Sequence, residues 1–230
     1  MEYLLDQLKA KHDCLSLDFD HIFGLAVGAK FTCQDCGSEQ ARAALASQLG
    51  AGYKYGISVP IHEPKRGLSL VEYLRHMFAN QTGAFPCETA QCVAIAAKAR
   101  DLQCTLTDPP EILTIRLQRF ATMKNKEGAW VSEVIPNDVD LEEFLDVGEY
   151  TATGDNVIYR LEGVVAHDCR TQRLEDGGHF IAVVRKHDGR TFSTLNDDQR
   201  VVSAATTDQL YFPRADKTDF KPYMLVYSKL

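Results

Sequence analysis

A histidine preceded by two glycines, Gly177-Gly178-His179-Phe180, and an Asn196-Asp197 pair whose asparagine follows that histidine by seventeen positions could together do base-assisted thiol chemistry. A nucleophilic thiol needs a neutral imidazole beside it, and the imidazole needs an acceptor that fixes its tautomer. His179 is the candidate base and Asn196 its candidate orienting partner, with Asp197 the neighbour able to share or replace that role. Glycines ahead of the histidine let a substrate backbone approach closely, because they carry no side chain to block it. The same spacing also fits a histidine opening a buried strand and a polar turn at Asn196-Asp197-Asp198, so spacing alone leaves both readings open.

A second group of residues could hold a metal. Cys33-x-x-Cys36, followed by Gly37, has the spacing of a knuckle that supplies two thiolates of a tetrahedral site. Cys87-x4-Cys92 could supply the other two, at a wider spacing than the commonest arrangement. A partial site and a redox pair at Cys33 and Cys36 are the alternatives, although no strand–helix–strand context surrounds the pair. Cys14 and Cys104 have no partner at ligand spacing and read as small buried apolar residues. The histidines at 12, 21, 62, 76, 167 and 187 have no patterned partner, though His167 ends a strand and could face the same cleft as His179.

Composition narrows the setting. The 230 residues suffice for one sizeable domain, and 45% hydrophobic with 25% charged residues is ordinary for a globular protein. The net charge of -7 disfavours nucleic acid, which needs clustered Lys and Arg. No apolar run approaches the roughly 18 residues of a membrane span, and no signal peptide is legible. Seven cysteines without a secretory signal read as reduced thiols or metal ligands in an intracellular compartment.

The elements that must position these residues are mostly strands. Met1 to Lys11 has helical spacing with Leu4, Leu5 and Leu8 on one side, and lacks a capping residue before it. His21 to Gly37 predicts a hairpin ending in the knuckle, and Lys54 to Ile61 a strand. Ser69 with Glu72 three residues on is a capping-box signature, predicting a short helix to Phe78. Glu111 to Phe120 alternates apolar and polar residues after Pro109-Pro110, which predicts a strand. Further strands are expected at 159–166, 179–184, 191–195 and 224–227, with a turn at Asp188-Gly189 that folds Asn196 back beside His179.

Taken in order, these pieces resemble the catalytic domain of the ubiquitin-specific proteases, cysteine proteases that remove ubiquitin. Met1 to Leu8 resembles the helix after the family's glutamine-aspartate motif. Ile22-Phe23-Gly24 with Thr32 to Gly37 resembles the first zinc knuckle, and Ser69 to Leu74 with Phe85 to Cys92 the fingers and second knuckle. Pro110 to Phe120 is close to the family's P-x-x-L-x-I-x-L-x-R-F strand. Tyr159 to His167, Gly177 to Phe180 and Arg190 to Asp198 resemble the histidine box, and Tyr223 to Tyr227 the last strand. The resemblance implies an α+β, papain-like right-hand fold, mainly antiparallel β in its second half, with residues 1–20 a residual thumb helix, 21–108 zinc-carrying fingers and 109–230 the palm. It implies His179 as general base, Asn196 or Asp197 as its partner, and Cys33, Cys36, Cys87 and Cys92 as ligands of a structural zinc. Asp168 to Asp176 resembles the family's blocking loop, and Gly178 and Phe180 would line the channel for the ubiquitin tail. Ubiquitin and ubiquitinated proteins are the implied partners, with no nucleic acid and no membrane, in the cytoplasm or nucleus. One departure is large. The family's asparagine-rich cysteine box, which holds the nucleophile, should lie upstream of Met1 to Leu8. The surroundings of Cys14 do not match it, so the resemblance implies a domain whose thumb is truncated, or a ubiquitin-binding protein without catalysis.

Overall fold

A computed structural model describes residues 22–33, 35–42, 55–61, 68–79, 81–84, 89, 92, 99–124, 126–169, 179–196, 199–205 and 220–230. Strands dominate. In chain order they are β1 (Ala26–Thr32), β2 (Glu39–Arg42), β3 (Ile57–Pro60), β4 (Leu68–Ser69), β5 (Gln81–Ala84), β6 (Ala99–Asp108), β7 (Ile112–Gln118) and β8 (Phe120–Lys124). Then follow β9 (Trp130–Val134), β10 (Val139–Asp140), β11 (Phe144–Asp146), β12 (Ile158–Asp168), β13 (Phe180–Arg185), β14 (Phe192–Asn196), β15 (Gln199–Ala205) and β16 (Phe220–Lys229). The helix α1 (Leu70–Phe78) stands between β4 and β5. The expected helix at 1–11 lies outside the described residues.

Two sheets organise the chain. A four-stranded sheet runs β2-β1-β6-β5, and an eight-stranded sheet runs β15-β14-β13-β12-β16-β7-β3 with β11 paired to β12. All pairings in these sheets are antiparallel except β3 with β7. The expected hairpin around 21–37 is differently placed. β1 runs into the cysteine knuckle and β2 returns from it, while the long partner of β1 is β6, seventy residues on. Gly56 enters β3 so close to β7 that a Cβ there would lie 2.8 Å from the Thr114 carbonyl oxygen.

The predicted capping box at α1 is present. The Ser69 hydroxyl accepts from Glu72 N at 3.2 Å, and the Glu72 carboxylate accepts from Ser69 N at 2.8 Å. The helix turns Leu70, Tyr73, Leu74, Met77 and Phe78 inward. There they meet the core row of each strand, Ile57 and Val59, Leu113, Ile115 and Leu117, Tyr159 and Leu161, Leu225 and Tyr227.

β12 keeps one face in this core by breaking its own alternation. Its buried positions run Tyr159, Leu161, then Val164, Ala166, and its pairing with β16 slips between Leu161 and Gly163. One extra residue shifts the side-chain parity, so the second half stays core-facing. A second slip, between Val165 and Ala166, leaves Tyr223 as the extra residue on β16.

Arg119 closes the strand β7 that the sequence anticipated. Its side chain is fully buried. The guanidinium donates to the carbonyl oxygens of Pro222, Ile135 (2.9 Å) and Asn137 (2.8 Å), tying β16 to the segment after the β8–β9 hairpin. That hairpin forms a separate two-stranded sheet and carries Trp130, 68% exposed, with the Lys124 ammonium 5.1 Å from its ring centre. Among the described residues no helix is long and apolar enough to cross a membrane.

Arg119→Lys cannot serve three carbonyls from one fork, and each buried acceptor left unpaired costs about 1–3 kcal/mol. The expected loss is about 2 kcal/mol or more of unfolding free energy in urea, whereas Trp130→Ala should stay within about 0.5 kcal/mol.

Candidate active site and cysteine cluster

The β13–β14 hairpin joins the two segments that carry His179 and Asn196. Its turn is closed by Lys186 N donating to Thr191 O at 2.7 Å, and Gly189 sits at φ +67°, where a side chain would be strained. The Asp188 carboxylate accepts from Arg190 N (2.8 Å) and Thr191 N (2.9 Å). Hydrogen bonds from the Thr191 hydroxyl and backbone, then from Arg190 N, hold that carboxyl down to about 2. From this turn the register runs Arg185 with Phe192 to Ala182 with Leu195. Continued by one residue it sets Asn196 opposite Ile181, two positions from His179 and on the same face of the sheet. Cross-strand diagonal neighbours of this kind lie about 7–8 Å apart. Only the backbone of Asn196 is described; Asp197 and Gly178 lie outside the described residues.

His179 is half-buried where it opens β13. Its carbonyl accepts from Asp168 N at 2.9 Å, and its ring meets Phe220 edge-on at 5.9 Å. Ile181 and Val183, the next residues on its face, are buried. The imidazole therefore stands half-buried at the rim of a core row, against the Phe220 ring.

Phe180 faces the other way and is 44% exposed. It packs on His167 (4.6 Å between rings) and Tyr223 (5.4 Å), and Phe120 meets both of those in turn. The Arg116 guanidinium lies 5.5 Å from the Tyr223 ring centre. His167 thus sits on the opposite face from His179, 1% exposed, rather than lining one cleft with it. Burial pushes its pKa down; the Asp168 carboxylate opposes that and the Arg119 guanidinium adds to it. The Cys169 thiol lies 3.8 Å from His167 Nδ1, on the face away from His179. Tyr223, Phe120 and Cys169 were not singled out from sequence. Tyr223 becomes visible only through the bulge that leaves it unpaired, and Cys169 only through the strand end that sets it beside His167.

The cysteine knuckle is also assembled. Cys33 N donates to Ser38 O at 2.9 Å and Gly37 N to Cys33 O at 2.8 Å, with Gly37 at φ +67°. Cys33, Cys36 and Cys92 hold their sulfurs within 4.8 Å of one another. The Cys33 and Cys92 sulfurs are 3.9 Å apart, against about 3.8 Å for two thiolates sharing a tetrahedral ion with metal–sulfur bonds of about 2.3 Å. Hydrogen bonds from the Ser38 hydroxyl (3.1 Å) and then the Thr89 hydroxyl (3.4 Å) pull the Cys36 thiol down to about 5, which favours the thiolate that a metal requires. These three residues fit a metal ion. Cys87, the expected fourth ligand, lies outside the described residues.

Cobalt added to the metal-free chain should give thiolate-to-metal charge-transfer absorbance, and Cys36→Ser should abolish most of it. Chelation should also lower thermal stability, because a metal that binds only the folded site contributes its binding energy to folding.

His167 makes stability pH-dependent. Its folded-state pKa is depressed, so the unfolded chain binds the proton more readily. The stabilisation is whole above the unfolded value of about 6.5 and falls with pH below it, by at most about 1.4 kcal/mol per pH unit. Denaturation midpoints measured from neutral to mildly acidic pH should fall more steeply in the native chain than in His167→Phe.

No curated protein matches the sequence. The fold is shared with solved structures: the yeast SAGA DUBm with an Sgf73 mutant (TM-score 0.63, 17% identity, covering 96% of this chain and 45% of that one), the SAGA DUB module Ubp8/Sgf11/Sus1/Sgf73 bound to monoubiquitin (0.69, 17%, 100% and 47%), and the same module bound to ubiquitin aldehyde (0.67, 16%, 100% and 48%). The chain spans about half the length of these similar chains. The strand-rich architecture is the papain-like arrangement expected from the motifs. The family model for ubiquitin carboxyl-terminal hydrolase matches residues 1–227, and the chain belongs to that family, in its ubiquitin-specific protease type.

Proposed function

We propose that this chain carries the base and ubiquitin-binding half of a cysteine deubiquitinase. The observation that supports the reading is the β13–β14 register, which pairs Ala182 with Leu195 and, carried on by one residue, would set Asn196 opposite Ile181 on the strand that His179 opens. Monoubiquitin and ubiquitin aldehyde are bound in two of the similar structures, and we take ubiquitin and ubiquitinated proteins as the partners of this chain, in the cytoplasm or nucleus. Residues 21–108 act as fingers and 109–230 as palm, with residues 1–20 belonging to the thumb. A zinc ion held by Cys33, Cys36, Cys92 and Cys87 would supply no catalytic step; it would cross-link the knuckle to the segment around Cys92.

The chemistry assigned to His179 is proton transfer. Its neutral imidazole takes the proton of a cysteine thiol, and the thiolate adds to the isopeptide carbonyl after the last glycine of ubiquitin. The resulting imidazolium gives its proton to the departing lysine amine as the C–N bond breaks. A thioester remains, which water hydrolyses with His179 again as base, releasing the carboxylate and restoring the thiol. Asn196, with Asp197 as its alternate, holds the ring. Gly178 and Phe180 border the channel for the ubiquitin tail.

A second reading has its own observation. The described cysteine nearest to His179 along the chain, Cys169, turns its sulfur to His167 instead. Ubiquitin binding without hydrolysis is the function that remains where no thiol reaches His179. Two measurements separate the readings. Ubiquitin titrated into the isotope-labelled chain should shift the Phe180 and Tyr223 resonances saturably, and an unchanged spectrum ends both. In a complete polypeptide that also carries a cysteine box, His179→Ala should lower turnover of a ubiquitin conjugate by about 1,000-fold or more. Unchanged turnover removes His179 as base.

A further inference from the structure

Asp168 is the last residue of β12, and its backbone N–H donates to the carbonyl of His179 at 2.9 Å. The register one step earlier pairs His167 with Phe180, so Asp168 and His179 are direct cross-strand partners. Directly opposed residues of an antiparallel pair project from the same face, with Cβ atoms about 4.5–5.5 Å apart. On its other side Asp168 pairs with Phe220, and the rings of His179 and Phe220 meet at 5.9 Å. A carboxyl-bearing residue that is 6% exposed therefore lies between the two strands whose aromatic rings converge above it.

We propose that Asp168 is a positioning residue for His179, acting from the strand opposite to that of Asn196. The inference rests on His179 being the base. It answers a chemical need that Asn196 does not meet. When the imidazole takes a proton it becomes a cation, and a neutral amide can orient that ring but adds no compensating charge, whereas a carboxylate does both. His179 would then be held from two sides, by an amide reached through β14 and a carboxylate reached through β12. Among the described residues, the ionisable groups on the strands nearest this pair are His167 and Cys169 on the other face of β12, Arg119 from the end of β7, and Lys221 on β16, which pairs with Asp138 at 2.6 Å. His167 and its cross-strand partner Lys221 lie on the opposite face of β12 from Asp168, and His179 shares the face of Asp168.

The test reads the tautomer of His179, which a purely structural role would not move. In the 230-residue chain, long-range proton–nitrogen correlations at a pH where the ring is neutral should show Nδ1 protonated and Nε2 bare. Asp168→Asn is isosteric, and its amide can donate as well as accept. The variant should move His179 toward the mixed tautomers of an exposed histidine such as His187. A folded Asp168→Asn chain with an unchanged His179 tautomer overturns the proposal. If that variant does not fold, the unmutated chain decides. The Asp168 carboxyl-carbon resonance should step as His179 titrates, and the step should vanish in His179→Gln. A step that survives that substitution belongs to His167 and overturns the proposal too. Neither readout uses ubiquitin, so failure of the deubiquitinase reading would appear separately in the ubiquitin titration.

Discussion

The double pairing of β12 holds the rest of the structure. One edge of this strand carries β13, with the candidate base at its start, and the other carries β16, the bridge to β7 and β3. A strand buried on one face throughout must keep its alternation, and the apolar residues of β12 do not alternate strictly. The extra residue at the Leu161–Gly163 slip resolves the conflict. It keeps Tyr159, Leu161, Val164 and Ala166 on one side, and so decides which face Ile181, Val183 and His179 share. Had the strand continued without it, the row that ends at His179 would face away from the core.

Arg119 shows a related economy. A fully buried guanidinium is costly to desolvate, and here three backbone carbonyls accept from its Nε and Nη1 and offset part of that cost. Its charge also reaches His167 and helps keep that ring neutral. The aromatic group of Phe120, His167, Phe180 and Tyr223 therefore stays uncharged near neutral pH, behind the strand whose front carries His179. One face offers a base and the other a soft, apolar wall, both fixed by the same few residues of β12 and β13.

Much of the local structure was legible. The Ser69–Glu72 capping box announced its helix because capping is local, completed within one turn. The alternation after Pro110 announced β7, and Asp188-Gly189 announced the turn that returns β14 to β13. The glycine at 37 announced the knuckle, since its left-handed backbone is needed there whatever the rest of the fold does. Less legible were β6, β8 and β9. Their residues, such as Ala99 to Asp108, mix charged and apolar types without a clean period, and β8 and β9 form a separate two-stranded sheet that puts no described residue into the core cluster. The hairpin expected before the knuckle was misplaced because the long partner of β1 is far away in sequence.

What the sequence by itself determined is the chemistry on offer, namely a glycine-flanked histidine, an asparagine at hairpin distance, and cysteine pairs at ligand spacing. Each depends on residue type and short separation, which a chain carries into any fold that tolerates it. Which groups meet was decided by tertiary structure alone. Asp168 read as the first residue of a loop, and pairing made it the neighbour of His179. His167 had no patterned partner in the sequence and could have faced the cleft of His179; strand parity put it, buried, on the opposite face. Cys92 and Cys33, 59 residues apart, are the exception, since their ligand spacing had already grouped them. Long-range register is a collective property of all paired strands, and a single inserted residue reverses it, so no local pattern can specify it.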